Sequence, residues 1–228
     1  LNVLFSSGRF AADSVLVLEN RLPGLADTLG RAPRDMPVYV ASQSVMDAIA
    51  GFHIHRGILA IGRRGLRADI AELLETLPPD AMIVVPVGIS NHDNMGAIFR
   101  NAAAFEADAI VLDETCCDPL YRKAIRVSVG AALKVPFTVA GEAQALVELL
   151  RDHGFEVLAL SGTGETGIGD LVPGGRRALL LGTEGEGLPA SIMEASRTVR
   201  IPMSAGMDSL NVAAASAIAL HRLWRGAC

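Results

Sequence analysis

Aromatic residues are scarce in this sequence, at 4% of its 228 residues, although half of the chain is hydrophobic. The core must therefore be built from alanine, valine, leucine and isoleucine. Aliphatic runs of this kind are typical of parallel strands that helices cover on both faces. A chain of this length can bury a substantial core in one or two domains.

Cysteine is rarer still. The chain has three cysteines, two of them adjacent at Cys116 and Cys117, which argues against a disulfide framework and favours a cytoplasmic location. No uninterrupted apolar run reaches the ~18 residues of a membrane helix, and the N-terminal residues lack the pattern of an export signal. No spacing of cysteine and histidine resembles a zinc site. We therefore expect a cytoplasmic protein with no membrane segment and no bound metal.

Positive charge is not in excess either. The net charge is −5, which by itself argues against a nucleic-acid partner. Residues 1–78, however, hold eight arginines against eight acidic residues, and lysine occurs only at positions 123 and 134. Arginine binds phosphates and bases well, but a GC-rich genome would produce the same bias, so the charge decides neither way.

Short aliphatic runs alternate with stretches of helical periodicity, which predicts an α/β protein with a parallel sheet. Pro78-Pro79 separates a small α/β unit, residues 1–77, from a larger unit, residues 78–228. In the first unit we predict strands at 15–18, 38–40 and 57–61 and helices at 22–30, 42–50 and 69–77. In the second we predict strands at 81–86, 109–112, 137–140, 156–160, 177–181 and 198–201, helices at 94–105, 124–133, 142–152, 189–195 and 209–224, and a mobile loop at 162–175.

Three separated segments place polar residues and glycines where an apolar run meets a helix-like run. They are residues 94–100, residues 182–189, and residues 201–203 together with 209–212. In α/β proteins such strand-to-helix junctions are where ligands bind. We therefore predict that the three segments form one site.

The glycine-rich segment 182–187 follows a buried strand, and its glycines would let backbone N–H and C=O groups approach a ligand closely. Glu184 and Glu186 argue against a phosphate, and the segment lacks the lysine and the spacing of the known nucleotide-binding loops. The segment suits a cationic or neutral polar ligand. The alternative is a plain surface turn.

The polar residues of the other two segments have structural as well as functional interpretations. Asn94 and Arg100 are six residues apart, which is about 600° of helical rotation, so they do not share a helix face. Asn94 can be read as a helix cap with Arg100 in solvent, and Ser209 can be read as a cap in the same way. Asn211 interrupts an apolar stretch, where a buried amide requires hydrogen-bond partners.

Together these segments resemble the sequence motifs of the SpoU (TrmH-type) RNA ribose methyltransferases, within the SPOUT class. The resemblance covers about residues 81–225 and keeps the motif order. The motifs are Asn94-Met95-Gly96-Ala97-Ile98-Phe99-Arg100-Asn101-Ala102, Leu180-Leu181-Gly182-Thr183-Glu184-Gly185-Glu186-Gly187-Leu188, and Ile201-Pro202-Met203 with Ser209-Leu210-Asn211-Val212-Ala213. The N-terminal unit is similar to the ribosomal-protein-like RNA-binding domain of many members, although we expect that its first elements are missing.

The resemblance implies a trefoil-knotted α/β domain that binds S-adenosylmethionine and forms a homodimer. Gly182, Ile201, Met203 and Leu210 would hold the cofactor, and Glu184 would help to order the pocket. The first motif would face the cofactor of the partner subunit. An acidic, glycine-rich loop also suits the cationic sulfonium of this cofactor better than it suits a phosphate.

The implied reaction is methyl transfer to a ribose 2′-hydroxyl, in which alignment dominates. The family resemblance gives Arg100 the role of removing the proton, but arginine normally stays charged. Our hypothesis is that Arg100 anchors an RNA phosphate and stabilises the developing alkoxide. Asn94, Ser209 and Asn211 would orient Arg100 and the ribose, and Glu184 completes the predicted catalytic set.

The expected partner is RNA, and the ribosomal-protein-like unit favours ribosomal RNA over transfer RNA. One alternative is a non-catalytic RNA-binding module that retains the cofactor pocket. Another is a nucleotide-binding enzyme that uses residues 182–187. The intact polar residues of the motifs argue against the first alternative, and the missing lysine argues against the second.

Overall fold

The computed structural model describes residues 1–65 and 68–226. The chain divides into two compact units, residues 1–66 and residues 67–228. In the two described stretches, no helix is long and apolar enough to cross a membrane.

The first unit contains a three-stranded sheet and a small core of Leu18, Met46 and Ile54. Its elements are helix α1 (Asn2–Ser6), strand β1 (Ala11–Leu18), helix α2 (Ala26–Leu29), strand β2 (Val38–Ala41), helix α3 (Gln43–Ala50) and strand β3 (Ile58–Arg63). The central strand β1 pairs in parallel with β2 and antiparallel with β3. The three strands predicted for this unit are therefore confirmed.

The helix predicted at residues 22–30 is wrong in its first half. Helix α2 begins only at Ala26, and two short 3₁₀ helices, Glu19–Arg21 and Pro23–Leu25, precede it. Proline lacks the N–H group that an α-helix needs, and glycine at position 24 is a poor helix former. Apolar spacing alone therefore overestimated the length of this helix.

The second unit is built on a seven-stranded sheet. Its elements are α4 (Ile70–Thr76), β4 (Met82–Pro86), α5 (His92–Ala104), β5 (Ala109–Leu112), α6 (Arg122–Val127), β6 (Phe137–Val139), α7 (Ala143–Asp152), β7 (Glu156–Leu160), β8 (Thr166–Gly167), β9 (Arg177–Leu181), α8 (Ala190–Glu194), β10 (Arg197–Arg200) and α9 (Val212–Leu223). The strand order is β6-β5-β4-β9-β7-β10-β8, and the paired neighbours are parallel. The prediction of a parallel sheet is confirmed, and this order places the carboxyl ends of β4, β9, β7 and β10 side by side.

Helix α4 belongs to the second unit. It buries Leu73 and Leu74 in the core on one face of the large sheet. The division between the units therefore lies before the boundary that the sequence predicted after residue 77.

Helices cover both faces of the large sheet. Met82 and Val84 of β4 belong to the core shared with α5 and α9, whereas Ile83 and Val85 belong to the core shared with α4 and α7. A strand that is buried on both faces reads as a continuous apolar run. This two-sided burial explains why the chain is aliphatic.

The helix predicted at residues 124–133 is interrupted. Helix α6 ends at Val127, and a 3₁₀ helix follows at Ala131–Leu133. Between them, Val129 and Gly130 have φ angles of 54° and 84°. Positive φ angles are incompatible with a right-handed helix, so the chain turns here.

The segment predicted as a mobile loop, residues 162–175, contains regular structure. Strand β8 lies within it, and a 3₁₀ helix follows at Ile168–Asp170. Ile168 and Leu171 are buried in the core on the α5 side of the sheet. Because the segment is rich in glycine, the sequence pattern predicted a loop and missed these two core residues.

Candidate active site

A cavity of about 630 Å³ opens at the carboxyl ends of β7, β9 and β10. This edge of a parallel sheet is where α/β proteins bind ligands. The walls come from the residues that follow each of these strands and from the start of α9. The predicted site residues that line the cavity are Gly182, Glu184, Ile201, Met203, Ser209, Leu210 and Asn211.

Glycine is required at the start of the loop after β9. A Cβ atom on Gly182 would lie 2.4 Å from the carbonyl carbon of Gly187 and 2.5 Å from the amide nitrogen of Leu188. The loop closes on itself here, since the backbone amides of Thr183 and Gly187 donate to each other's carbonyl groups at 3.3 and 3.1 Å. Gly185 and Gly187 also have positive φ angles. The turn therefore lines the cavity largely with backbone groups.

One side-chain amide connects the three predicted segments. Asn211 Nδ2 donates hydrogen bonds to Asn94 Oδ1 at 3.0 Å and to Glu184 Oε1 at 2.6 Å. Asn211 Oδ1 accepts from the backbone amides of Ala213 and Ala214, at 3.0 and 3.3 Å, and so caps helix α9. Both amide protons and the amide oxygen are thus used. The structure brings the three segments together through this residue.

Asn94 and Ser209 are not helix caps, contrary to the structural interpretation of their positions. The side chain of Asn91 caps α5, and Asn94 lies inside the first turn with 8% of its surface exposed. Asn211 caps α9, so this helix begins later than the predicted residue 209. Ser209 is exposed at the cavity wall instead.

A second polar contact between α5 and α9 was missed by the sequence analysis. Asn101 Nδ2 donates to the Ala213 carbonyl at 2.7 Å and to Ser216 Oγ at 2.8 Å, and Ser216 is buried. Asn101 follows Asn94 by seven residues, which is close to two helical turns, so both amides lie on the same face of α5. That spacing within an apolar face is the signal that would have revealed Asn101.

Arg100 is not part of the cavity wall. Its side chain is exposed on α5, whereas Asn94 is buried, in agreement with their predicted placement on different faces. Within residues 1–65 and 68–226, no group forms a hydrogen bond or an ion pair with the guanidinium of Arg100. Its guanidinium is therefore available to an anion from outside the subunit.

The loop after β7 supplies part of the cavity that the sequence analysis did not assign. Residues 161–163 line the cavity, and they directly follow a strand, so the same junction rule would have found them. This loop also lies close to the final segment of the chain. A Cβ atom on Gly162 would lie 2.6 Å from the Asp208 carbonyl oxygen, and one on Gly164 would lie 2.4 Å from the Val199 carbonyl carbon.

The cavity wall is acidic. Glu184, Glu186 and Asp208 line it, and its described lining residues include no lysine or arginine. A wall of this charge repels a phosphate and favours a cationic or neutral polar ligand. Apolar side chains such as Leu181 and Ile201 complete the wall.

Cys116 and Cys117 lie outside the cavity wall. Among the described residues, no group of three or more histidine, cysteine or acidic side chains is placed to hold a metal ion. Cys116 and Cys117 are half-buried, and Cys116 Sγ donates to the Pro86 carbonyl at 3.3 Å. Burial raises the pKa of the Cys116 thiol, so the thiol stays protonated and is a poor nucleophile.

Comparison with known proteins agrees with this geometry. Residues 81–221 match the sequence profile of the SpoU rRNA Methylase family. An uncharacterised tRNA/rRNA methyltransferase of Mycobacterium bovis is 40% identical over 225 residues, which are 96% of this chain and 76% of that protein. The 23S rRNA (guanosine-2′-O-)-methyltransferase RlmB of Burkholderia is 32% identical over 188 residues, which are 81% of this chain and 76% of that protein.

A solved structure shows the same fold. The crystal structure of an AdoMet-bound rRNA methyltransferase from Sinorhizobium meliloti superposes with a TM-score of 0.82 at 21% identity, covering 100% of this chain and 86% of that chain. The family match covers most of the second unit and includes all three motifs. This chain belongs to the SpoU family of RNA methyltransferases.

Proposed function

We propose that this chain transfers a methyl group to a ribose 2′-hydroxyl of ribosomal RNA. The observation that carries the proposal is the Asn211 side chain, which joins Asn94 of α5 and Glu184 of the loop after β9 beside the cavity. Polar residues of the three family motifs therefore meet at one place. The name of the relative RlmB specifies guanosine 2′-O-methylation of 23S rRNA, which supports both the hydroxyl acceptor and the class of RNA.

The methyl donor of the SpoU methyltransferases is S-adenosylmethionine, as the family resemblance implied. The cavity fits this cofactor, because about 630 Å³ is within the range of pockets that enclose ligands of its size. The carboxylates of Glu184, Glu186 and Asp208 suit its cationic sulfonium. When bound, the cofactor supplies an electrophilic methyl group. The residues proposed to hold it are Gly182, Glu184, Ile201, Met203 and Leu210.

Arg100 is proposed to act on the RNA. Its exposed guanidinium has no partner among the described residues, and arginine remains charged at neutral pH. A guanidinium binds a phosphate through paired hydrogen bonds and stabilises negative charge that develops on the attacking oxygen. Asn94, Ser209 and Asn211 are proposed to orient Arg100 and the ribose.

We further propose that a homodimer completes the site, because Arg100 lies outside the cavity of its own subunit. Helix α9 exposes an apolar strip beside the cavity, in which Ile218 is 43% exposed and Ala214 is exposed one turn earlier. Exposed apolar strips are typical of subunit contacts. In this arrangement, Arg100 of one subunit faces the cavity of the other.

Mixing two impaired variants, at a cofactor concentration too low to saturate Gly182→Ala, tests the shared site. Subunits with Arg100→Ala and subunits with Gly182→Ala are co-expressed with different tags, and the mixed dimers are isolated. If Arg100 acts across the interface, each mixed dimer has one intact site and regains about half of the wild-type activity, since a two-fold dimer has two equivalent sites. Inactive mixed dimers, or a monomeric wild type, would contradict the arrangement.

The chain after β10 is proposed to pass through the loop after β7 and form the trefoil knot. The backbone amide of Ser161 donates to the Val199 carbonyl at 2.9 Å, and the Arg200 guanidinium donates to the Gly164 carbonyl at 2.7 Å. These contacts hold the final segment against that loop. Such knots are rare exceptions to un-knotted topology.

The first unit is proposed to bind RNA, as its likeness to ribosomal-protein-like domains suggests. Its support is a cavity of about 640 Å³ whose wall contains Arg9, Arg31, Arg63 and Arg64. Arginine both pairs with phosphates and stacks on bases. A domain of this kind favours a large structured RNA, and we therefore rank ribosomal RNA before transfer RNA.

Methyl transfer to defined RNAs tests the proposed function. The full chain is incubated with methyl-labelled S-adenosylmethionine and with 23S rRNA, 16S rRNA or pooled transfer RNA made by transcription. The expected result is label in a 2′-O-methylated nucleoside from ribosomal RNA after nuclease digestion. Label in transfer RNA alone would overturn the substrate class. Label on a base, or cofactor binding without transfer to any RNA, would overturn the proposed activity.

A further inference from the structure

The seam between α5 and α6, the line along which these two helices pack, carries a pair of rings in tilted contact. The rings of His92 and Tyr121 have centroids 4.4 Å apart and an interplanar angle of 46°. His92 is the first residue of α5, and Tyr121 immediately precedes α6. Tyr121 is 46% exposed, so one side of this pair is open to solvent.

The same seam leads from the rings to Arg100. Asp93 pairs with Lys123 at 2.7 Å, and a Cβ atom on Gly96 would lie 2.6 Å from the Ala124 carbonyl oxygen. The contacts thus advance along both helices together. Arg100 follows Gly96 by four residues, which places it one helical turn further along the same side of α5.

Helix α6 adds positive charge beside this seam. Arg122, Lys123 and Arg126 are exposed, and Asp93 is the ion-pair partner of Lys123. Within the part of the chain that the structure describes, the Arg126 guanidinium has no hydrogen-bond or ion-pair partner. An exposed tyrosine ring and Arg100 therefore lie along this seam, and the Arg126 guanidinium is exposed on α6.

We propose that the His92–Tyr121 pair stacks on an unpaired RNA base next to the modified ribose, while Arg126 binds the adjoining phosphate. Proteins that recognise single-stranded RNA combine aromatic platforms for bases with cations for the backbone. A base inside a duplex has no free face to stack. The inference rests on the proposed function and narrows its substrate to a nucleotide in a loop or another unpaired segment.

The tyrosine ring takes no part in capping α6, which leaves it available for a binding role. Tyr121 is the N-cap residue of α6, but its side chain makes no capping hydrogen bond. The cap contact uses its backbone carbonyl, which accepts from the Ile125 amide at 3.1 Å. Replacement by alanine therefore keeps the helix start and removes only the ring.

A fluorescent probe tests the stacking directly. The probe is a 12-nucleotide oligouridylate RNA with one central 2-aminopurine ribonucleotide, whose fluorescence is quenched by stacking. The full-length wild type is expected to quench the probe, and Tyr121→Ala is expected to abolish the quenching and weaken probe binding by about ten- to a hundred-fold. Tyr121→Phe retains the ring and should restore both signals. Pairing with the complement already quenches the probe inside the duplex, so the duplex should show no further change on addition of protein and should bind wild type and Tyr121→Ala equally.

A matched pair of arginines tests the phosphate contact. Arg126→Gln should weaken probe binding and reduce its salt dependence, whereas Arg151→Gln should leave both unchanged. Arg151 is also an exposed helical arginine, but it lies on α7 at the other face of the sheet. Equal effects of the two variants would overturn the role of Arg126.

Two results would overturn the stacking platform. The first is unchanged quenching by Tyr121→Ala while its melting temperature and cofactor binding match the wild type. The second is a change of oligomeric state in Tyr121→Ala, which would assign the rings to a subunit contact. Failure of the proposed function is distinguishable, because it appears as absent methyl transfer by the wild type even when the probe is quenched.

Discussion

The charged side chains at one end of the large parallel sheet are paired, whereas those at the other end are not. At the amino end, the first residues of β7, β9 and β10 are Glu156, Arg177 and Arg197. Glu156 binds both arginines, at 2.8 Å each. The side chain of Arg177 is only 12% exposed, so this end is closed by an ion-pair network.

At the carboxyl end of the same strands, the acidic residues have no such partners. No described residue forms an ion pair with Glu184, Glu186 or Asp208, and glycine backbone replaces side chains around the cavity. An unpaired acidic wall costs stability unless solvent or a ligand compensates it. From this difference we infer that the charged residues of the amino end stabilise the fold, whereas those of the carboxyl end favour binding of a cationic ligand. Substitutions at the two ends should therefore separate activity from stability.

The largest effect is expected for Arg100→Ala, on the helix that follows β4. Loss of a charged group that acts on the transition state typically lowers kcat by about a hundred-fold or more. The free energy of unfolding should change by less than about 0.5 kcal/mol, because the side chain is exposed and unpaired. Single-turnover methyl transfer and urea unfolding measure the two quantities.

The control for this prediction is Arg151→Ala on α7, an exposed arginine at the other face of the sheet. It should leave kcat unchanged. Full methyl transfer by Arg100→Ala would remove Arg100 from the reaction and weaken the functional assignment of this end.

A smaller effect, on cofactor binding, is expected for Gly182→Ala. The added Cβ would collide with the backbone of Gly187 and Leu188 at 2.4–2.5 Å, so the loop has to move. Such overpacking costs about 1–3 kcal/mol, and we expect cofactor affinity to fall by roughly ten- to a hundred-fold, as measured by calorimetry. Gly169→Ala is the matched control, since a Cβ there would meet no atom within 4 Å. Wild-type affinity in Gly182→Ala would show that the loop does not contact the cofactor.

The strands of this sheet and the junctions after them could be predicted from the sequence, because each depends on residues that are adjacent in the chain. Runs such as residues 177–181 are continuous and aliphatic, and a glycine follows directly, so both the strand and the junction after it could be assigned. The order of the strands could not be assigned, since β9 lies between β4 and β7 through contacts across the whole unit. The spacing of residues within a segment does not predict which distant strand it pairs with.

The contacts of the polar site residues could not be predicted from the sequence either. Ser209 and Asn211 are both residue types that cap helices, and only the position of α9 reveals that Asn211 is the cap. The hydrogen bond between Asn94 and Asn211 joins residues 117 positions apart. Periodicity could place Asn94 on a helix face but could not identify what that face meets.

Two substitutions at Asn211 separate its capping role from its role in the site. Asn211→Ala removes the cap and leaves Asn94 without its partner, so the free energy of unfolding should fall by about 1–2 kcal/mol. Asn211→Ser keeps a good cap but is too short to hold both Asn94 and Glu184. It should retain most of the stability and still lose methyl transfer, by roughly ten-fold for a misplaced polar group. Equal loss of stability in both variants would mean that the bridge, and not the cap, stabilises α9.

The smallest effect is expected at the amino end, for Glu156→Gln. Burial opposes ionisation of Glu156, but the hydrogen bonds from Arg197 and Arg177 outweigh it and lower the pKa of this carboxyl below its ordinary value of 4.5. A carboxyl pKa that is lower in the folded state stabilises the fold at pH values above the ordinary pKa. This contribution is lost as the pH falls through the lowered pKa.

Because the side chain of Glu156 is 36% exposed, solvent screens the two ion pairs, and we expect Glu156→Gln to lower the free energy of unfolding by only about 0.5–1 kcal/mol at pH 7. Urea unfolding should show this difference between wild type and variant shrinking towards zero in acid, while the methyl transfer rate at pH 7 stays unchanged. A variant that kept its stability but lost activity would show that the amino end also serves the site, and the contrast between the two ends would fail.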